Sequence, residues 1–229
     1  MVRKLFGRAA RQPAIDPFMT RLVTILDHHE VGLVLDVGAN EGQFAGALRG
    51  AGYDRRIVSF EPVARTHAVL SGRAGNGWEV HPRTALGAAA GEATIHTFNR
   101  TDMSSLLPPR DAARKAFPKL APEAAETVPV ARLDALFDGL HRGEVTHLKI
   151  DTQGFEHAVI AGAAGCLDRI AGIQVEVGVA PLYDGQPSHL ELFALIEEAG
   201  FAPVLFSPGN FSKRLCRQLD FDVVFFRTP

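Results

Sequence analysis

An open α/β fold with a doubly wound, mostly parallel sheet is what this sequence predicts, on three observations. Short apolar runs alternate with stretches whose apolar residues recur at helical spacing, a Gly/Asn-rich turn follows the first such run, and acidic residues stand at the ends of several of them. Strands alternating with helices imply parallel pairing, because the chain must cross back over the sheet face before it can start the next strand in the same direction.

The elements follow in chain order. After Pro17, the spacing of Phe18, Leu22, Ile25 and Leu26 predicts an amphipathic helix, closing an N-terminal helical extension over residues 1–30. The main domain is expected over 31–229. Leu33, Val34, Leu35 and Val37 form a continuous apolar run ended by glycine and asparagine, the pattern of a strand buried on both faces. Phe44, Ala47 and Leu48 mark a helix ending near Gly50 and Gly52; Ile57, Val58 and Phe60 a second strand; Val63 to Leu70 a helix; and Trp78 to Leu86 the region of a third strand. Gly91 to Phe98 alternates as a further strand. Regular pattern then lapses over 99–127, where Pro108, Pro109, Pro118 and Pro122 cluster, and a stretch this long is expected to be a lid loop over the site. Beyond it come strands at Leu148 to Ile150 and Ile173 to Val177, helices at Phe155 to Ala164 and Leu190 to Ala199, and closing strands at Val204 to Phe206 and Val223 to Phe226. With no helix between them, the last two are expected to form an antiparallel hairpin at the sheet edge.

Composition narrows the function classes. With 229 residues, 46% hydrophobic and 22% charged, the chain can bury one substantial core. Its net charge of −2 supplies no positive field to hold a polyanion, which argues against nucleic acid as a partner. Cys166 and Cys216 are isolated, so neither a disulfide framework nor a zinc site is expected, and a cytoplasmic location fits best. The nine histidines show no H-x-x-x-H spacing. No apolar stretch is long enough to span a membrane. The basic start, Arg3, Lys4, Arg8 and Arg11, could touch an anionic lipid surface or be a solvated terminus.

Three strand-to-helix junctions carry the chemistry, since open α/β sheets bind ligands at the carboxyl ends of their strands. The first is Asp36-Val37-Gly38-Ala39-Asn40-Glu41-Gly42-Gln43. A dinucleotide turn would need glycine at positions 40 and 43, where this chain has Asn40 and Gln43, so an NAD-dependent oxidoreductase is disfavoured. A ligand with an ammonium and a sulfonium but no pyrophosphate suits the turn better, with Asp36 supplying negative charge and Gly38 and Gly42 letting the backbone approach. S-adenosylmethionine is such a ligand. Glu61 ends the second strand, about 20 to 25 residues beyond the turn, where an acid can accept both ribose hydroxyls; Pro62 follows it.

The third junction is Lys149-Ile150-Asp151-Thr152-Gln153-Gly154-Phe155-Glu156-His157. Asp151 there could take the acceptor's proton or hold the acceptor, and could equally cap a helix. His157 could be a general base or merely cover a helix surface. Glu176 lies in an apolar strand and needs a partner, for which Lys149 or a bound metal are candidates; with Asp151 it could ligate magnesium. Ser104 and Ser105 could hydrogen-bond cofactor or acceptor.

In sequence, L-D-V-G-A-N-E-G-Q-F, S-F-E-P-V, S-S-L, L-K-I-D-T-Q-G-F-E, V-E-V and P-L-Y-D-G-Q-P form an ordered string that resembles the FkbM-type methyltransferases, over roughly Val31 to Phe226. The resemblance implies a class I methyltransferase fold with a seven-stranded sheet, and O-methylation of a hydroxyl on a sugar, glycolipid or polyketide. A deoxysugar such as rhamnose, free or lipid-linked, is the leading acceptor. By the same resemblance, Asp36, Gly38, Asn40 and Gly42 form the methionine-binding turn and Glu61 is the ribose acid. Pro62, Leu86, Ser104, Ser105 and Asp151 complete the cofactor site, with Asp151, His157 and Glu176 as the catalytic candidates. Many relatives carry Glu where this chain has Gln153, which puts a metal or base role at that position in doubt. Tyr183 and Asp184 match a segment that flanks the acceptor. A homodimer and peripheral membrane contact are compatible with the sequence, as is a non-catalytic nucleotide-binding module of the same fold.

Overall fold

A computed structural model describes residues 16–228. The basic positions Arg3, Lys4, Arg8 and Arg11, and the first half of the expected N-terminal extension, lie outside those residues. The chain runs α1 (Pro17–His28), β1 (Val31–Val37), α2 (Gln43–Gly50), β2 (Arg56–Phe60), α3 (Ala64–Ser71), β3 (Trp78–Val80), β4 (Ala85–Leu86) and β5 (Gly91–Phe98). It continues with α4 (Asp111–Ala116), β6 (Pro122–Ala131), α5 (Leu133–Leu140), β7 (Val145–Ile150), α6 (Glu156–Gly162), β8 (Ile170–Gly178), α7 (His189–Glu198), β9 (Phe201–Pro208), β10 (Phe211–Ser212), β11 (Arg217–Gln218) and β12 (Asp220–Arg227).

The main sheet has seven strands in the order β3-β2-β1-β7-β8-β12-β9. The first five are parallel to their neighbours, and β12 runs antiparallel to both β8 and β9. This is the expected doubly wound sheet with its antiparallel closing hairpin. The order reverses between β1 and β7, and the splayed ends there form the crevice where such folds bind ligands.

Apolar side chains of β1, β2 and β12 alternate between the two sheet faces and feed two cores. Leu33, Leu35 and Val37 of β1 join Leu148, Ile150, Ile173 and Val175 on one face, beneath Phe137 of α5, Val159 and Ile160 of α6, and Leu192 and Ile196 of α7. Val31 and Val34 face the other way, against Phe18, Leu22 and Leu26 of α1, Leu48 of α2 and Leu70 of α3. Each such fully buried side chain contributes roughly 1.5–3 kcal/mol. Ser188 and Glu191 form a reciprocal capping box that starts α7.

Two expected strands are found with added detail, and one expectation needs correction. The Trp78–Leu86 region holds two short strands: β3 closes the edge of the main sheet, while β4 belongs to a separate three-stranded sheet, β4-β6-β5. The Gly91–Phe98 strand is found, but in that second sheet. Residues 99–127 are not structureless, for they contain a 3-10 turn at Thr101–Met103, helix α4 and the first half of β6, which pairs antiparallel with β5. Alternation in Pro122–Ala131 went unread because half the strand is solvent-exposed and apolar contrast is weak there.

The second sheet docks on the first where α6 passes β4. A Cβ on Gly162 of α6 would stand 2.1 Å from the Gly87 carbonyl oxygen, so only glycine permits this contact. Gly162→Ala should cost about 1–3 kcal/mol by overpacking, read as a lowered denaturant midpoint with unchanged m-value.

Candidate active site

A cleft of about 280 Å³ opens at the carboxyl ends of β1, β2 and β7. Gly38, Asn40, Glu61, Pro62, Leu86, Ser104, Ser105 and Asp151 all line it, joined by Phe44, Phe60, Thr84, Ile95, Asp102, Lys149, Gln153 and Phe155. The sequence therefore located the crevice. Four expected residues stand elsewhere, of which Glu176 lines the smaller neighbouring pocket. Asp36 is fully buried beneath the cleft, Gly42 starts α2 against Trp78 and Leu70, and His157 lines neither this cavity nor the one beside it.

Asp36 is engaged inside the protein. Parallel register sets Ser59 of β2, Asp36 of β1 and Lys149 of β7 side by side across three strands. Lys149 Nζ lies 3.1 Å from Asp36 Oδ1, and Ser59 Oγ donates to Asp36 Oδ2 at 3.1 Å while accepting Trp78 Nε1–H at 2.9 Å. Lys149 also reaches Asp151 Oδ2 at 3.6 Å and sits over the Phe44 ring. Burial would lower its pKa, but the Asp36 and Asp151 carboxylates more than reverse that and hold it charged, above the usual lysine value. The expectation that Asp36 lends its charge freely to a ligand, and that Lys149 partners Glu176, is thus corrected: the two charges satisfy each other. Together with Asp151 they form a triad of net charge −1 at the cleft floor.

The two ligand-facing turns are pressed together. Gly38 has φ +76°, and a Cβ there would fall 1.8 Å from the Asp151 carbonyl oxygen. Asn40 also adopts positive φ, 49°, which its short polar side chain tolerates. Its N–H donates to Glu61 Oε2 at 2.8 Å, while its own Oδ1 is buried without a hydrogen-bond partner among the described residues. Glu61 Oε1 accepts Val63 N–H at 2.9 Å and Thr66 Oγ1–H at 2.8 Å. Burial raises the Glu61 pKa against the pull of these donors. A carboxylate offers about four acceptor positions, so Glu61 has one left for a ligand hydroxyl rather than the two expected.

Gln153 is the hub that sequence reading placed in doubt. Held at φ 54°, it donates from Nε2 to Asp151 Oδ1 at 3.0 Å and to Glu176 Oε2 at 2.6 Å, while Oε1 lies 3.1 Å from the Tyr183 hydroxyl. Its backbone oxygen accepts Ser105 Oγ–H at 2.8 Å, which ties residues 99–127 to the β7–α6 turn. Ser105 Oγ also accepts Leu107 N–H, so this hydroxyl is structural, whereas Ser104 makes no side-chain hydrogen bond among the described residues. The Gln153 amide sits between Asp151 and Glu176, where a magnesium ion shared by those two acids would have to be. Among the described residues no group of three or more His, Cys, Asp and Glu side chains is arranged for a metal ion.

Beyond Gln153 lies a second pocket of about 130 Å³. It shares Asp102, Asp151 and Gln153 with the cleft and adds Arg100, Glu176, Tyr183, Gln186, Asn210 and Asp220. Burial, then the neighbouring Asp151, Asp220, Asp222 and Glu156 carboxylates, push the Glu176 pKa well above its usual value. Asp184, by contrast, pairs with Arg110 at the exposed surface.

The fit to a donor such as S-adenosylmethionine can be tested on these atoms. The cleft offers one open Glu61 acceptor position, an apolar wall of Phe60, Leu86 and Ile95, and a net negative floor, and Asn40 in its lining carries a buried Oδ1 with no partner among the described residues. These suit an adenosine-bearing cation, and the residues present fit the group.

The strand order and the position of the crevice are those of the class I methyltransferase fold. The methyltransferase FkbM domain profile matches residues 36–203, and the chain belongs to that family. No curated protein matches it. Among solved structures it is similar to EvdMO1, with 14% identity over 97% of this chain and 43% of that one and a TM-score of 0.45, so the chain spans less than half of EvdMO1. It is also similar to the 1,6-didemethyltoxoflavin-N1-methyltransferase of Burkholderia thailandensis, solved with S-adenosylhomocysteine, at 15% identity over 93% and 79% of the two chains and a TM-score of 0.45. A TehB-like SAM-dependent methyltransferase from Corynebacterium glutamicum shows 10% identity over 93% and 89% and a TM-score of 0.44.

One titration is open to direct measurement. Glu156 accepts Thr152 and Gly154 N–H bonds, yet burial pushes its pKa up to about 7. The folded state then holds a proton that the unfolded state releases, so stability falls as pH rises from the unfolded value near 4.5 through about 7. Glu156→Gln, which keeps the acceptor oxygen, should flatten that decline in urea titrations at stepped pH; an unaltered slope would refute it.

Proposed function

We propose that this protein transfers a methyl group from S-adenosylmethionine to a hydroxyl of a sugar or glycolipid. The observation that carries this is the meeting of two unlike cavities along one wall, a mostly apolar cleft and a smaller polar pocket, with Asp151 and Gln153 between them. When bound, S-adenosylmethionine supplies an electrophilic methyl group on a sulfonium. Gly38, Asn40, Glu61, Pro62, Leu86 and Ser104 would hold it. A pocket lined by Glu176, Asp220, Asn210 and Gln186 is rich in acceptors for hydroxyl donors, which favours a polyhydroxylated ring over a flat polyketide aglycone.

The chain's own work in such a transfer is alignment and proton management. Asp151 lines both cavities and accepts a hydrogen bond from Gln153, so it is the proposed proton acceptor from the attacking hydroxyl. Glu176, reached through the same amide, is the second candidate, orienting the acceptor. His157 is no longer a candidate. Residues 99–127, stapled by Ser105 and contributing Asp102 and Ser104 to the wall, are proposed to cover the site as a lid.

Asp151→Asn should lower kcat by roughly 10²–10⁴-fold while the donor's Kd, measured by calorimetry, stays within about threefold. Turnover at the wild-type rate would remove Asp151 from the mechanism. In thermal melts, S-adenosylmethionine at about 100 times its Kd should stabilise the fold by about 2.7 kcal/mol, and NAD should not. Stabilisation by NAD alone would overturn the donor assignment.

A further inference from the structure

We propose that the β10–β11 hairpin is a docking surface for an anionic lipid bilayer. Within the seven residues Phe211–Arg217, Phe211 and Leu215 are 57% and 39% exposed, and Lys213, Arg214 and Arg217 are exposed with them. None of the three cations takes part in an ion pair among the described residues, although twelve other pairs occur there. From Ser207 to Leu219 there is no acidic residue to balance them. The chain as a whole carries a net charge of −2, so this concentration of positive charge is local.

The hairpin is held firmly at its base and exposed at its tip. Asn210 N–H and Nδ2 donate to the Asp220 carboxylate at 2.6 and 2.9 Å, and Leu219 N–H donates to Asn210 O at 2.8 Å. Ser212, buried between them, accepts Leu215 N–H on Oγ and fixes the turn. Phe211 and Leu215 are thus exposed on one short turn among cations, and apolar area rimmed by polar groups is the kind of surface that contacts a partner or a membrane.

Charge and apolar area together select the occupant. A bilayer with anionic headgroups takes both at once, with cations at the phosphate level and the aromatic and aliphatic side chains in the acyl boundary. A second copy of this chain, docked by a two-fold axis, would set the patch against itself and bring like charges together. Asn210, Leu219 and Asp220 also line the polar pocket, so the same contact would hold that pocket beside the membrane. The inference stands whether or not the methyl-transfer proposal does, because its readout is binding alone.

Cosedimentation with extruded vesicles tests it, comparing pure phosphatidylcholine with a mixture containing roughly one third phosphatidylglycerol at low salt. Wild-type protein should bind the anionic vesicles and not the neutral ones, and lose binding as salt screens the contact. Each cation near such a surface is worth roughly a fivefold gain in partitioning, so K213E/R214E should weaken binding by about 25-fold or more. F211S/L215S should weaken it at unchanged net charge, and K213Q/R214Q serves as the milder charge variant should the reversal fail to fold. No binding at low salt, equal binding to neutral vesicles, or wild-type binding by these variants would overturn the proposal. Self-association of the wild type that F211S/L215S abolishes would overturn it in favour of a dimer.

Discussion

The buried ion pair between Asp36 and Lys149 is the constraint on which the rest of the site depends. Neither side chain has access to water in any useful amount, and removing one partner from such a pair typically costs about 3–5 kcal/mol. Their attraction acts across the β1–β7 pair, the point at which the sheet order reverses. Ser59 and Trp78 extend the polar row toward the sheet edge, and the Phe44 ring closes over the ammonium. Strand register, the position of α2 and the charge at the cleft floor are all tied to this one contact.

With β1 and β7 locked, the turns that leave them must share a confined space. Gly38 meets the Asp151 carbonyl, and Asn40 and Gln153 both take left-handed backbone conformations that other side chains would resist. Strain of this kind is held in place by the hydrogen bonds around it. Glu61 braces the first turn through Asn40, and the Gln153 amide braces the second by joining Asp151, Glu176 and Tyr183. The amide matters electrostatically as well. Asp151 and Glu176 would repel each other across the wall between the pockets, and a neutral double donor placed between them satisfies both without adding charge.

The stretch 99–127 shows how sequence can locate a segment and still mistake its form. Its prolines and weak periodicity suggested an irregular cover, and Asp102, Ser104 and Ser105 do line the cleft. Yet most of it is organised: β6 pairs along β5, and Ala113 of α4 packs with Met103, Leu182 and Tyr183. Exposed antiparallel strands such as β6 bury one face at most, so the apolar contrast that betrays the central strands is faint. The hydrogen bond from Ser105 to the Gln153 carbonyl, which anchors the segment, joins residues 48 apart and leaves no local trace.

What the sequence alone determined is the sheet, its edge and the kind of site. Buried parallel strands require continuous apolar runs, helices require their 3.6-residue period, and strand-end turns that approach a ligand require residues such as Gly38 and Asn40, all of which are written within a few neighbouring positions. Tertiary structure alone decided which charges meet. Asp36 and Glu61 read from sequence as two free acids, but strand register gives the first to Lys149 and loop closure fills most of the second with backbone donors, while His157 turns away and Gln153 becomes central. An electrostatic partner is chosen by distance in space over a few ångströms, and residues 113 positions apart, as Asp36 and Lys149 are, carry no sign of each other until the strands between them are paired.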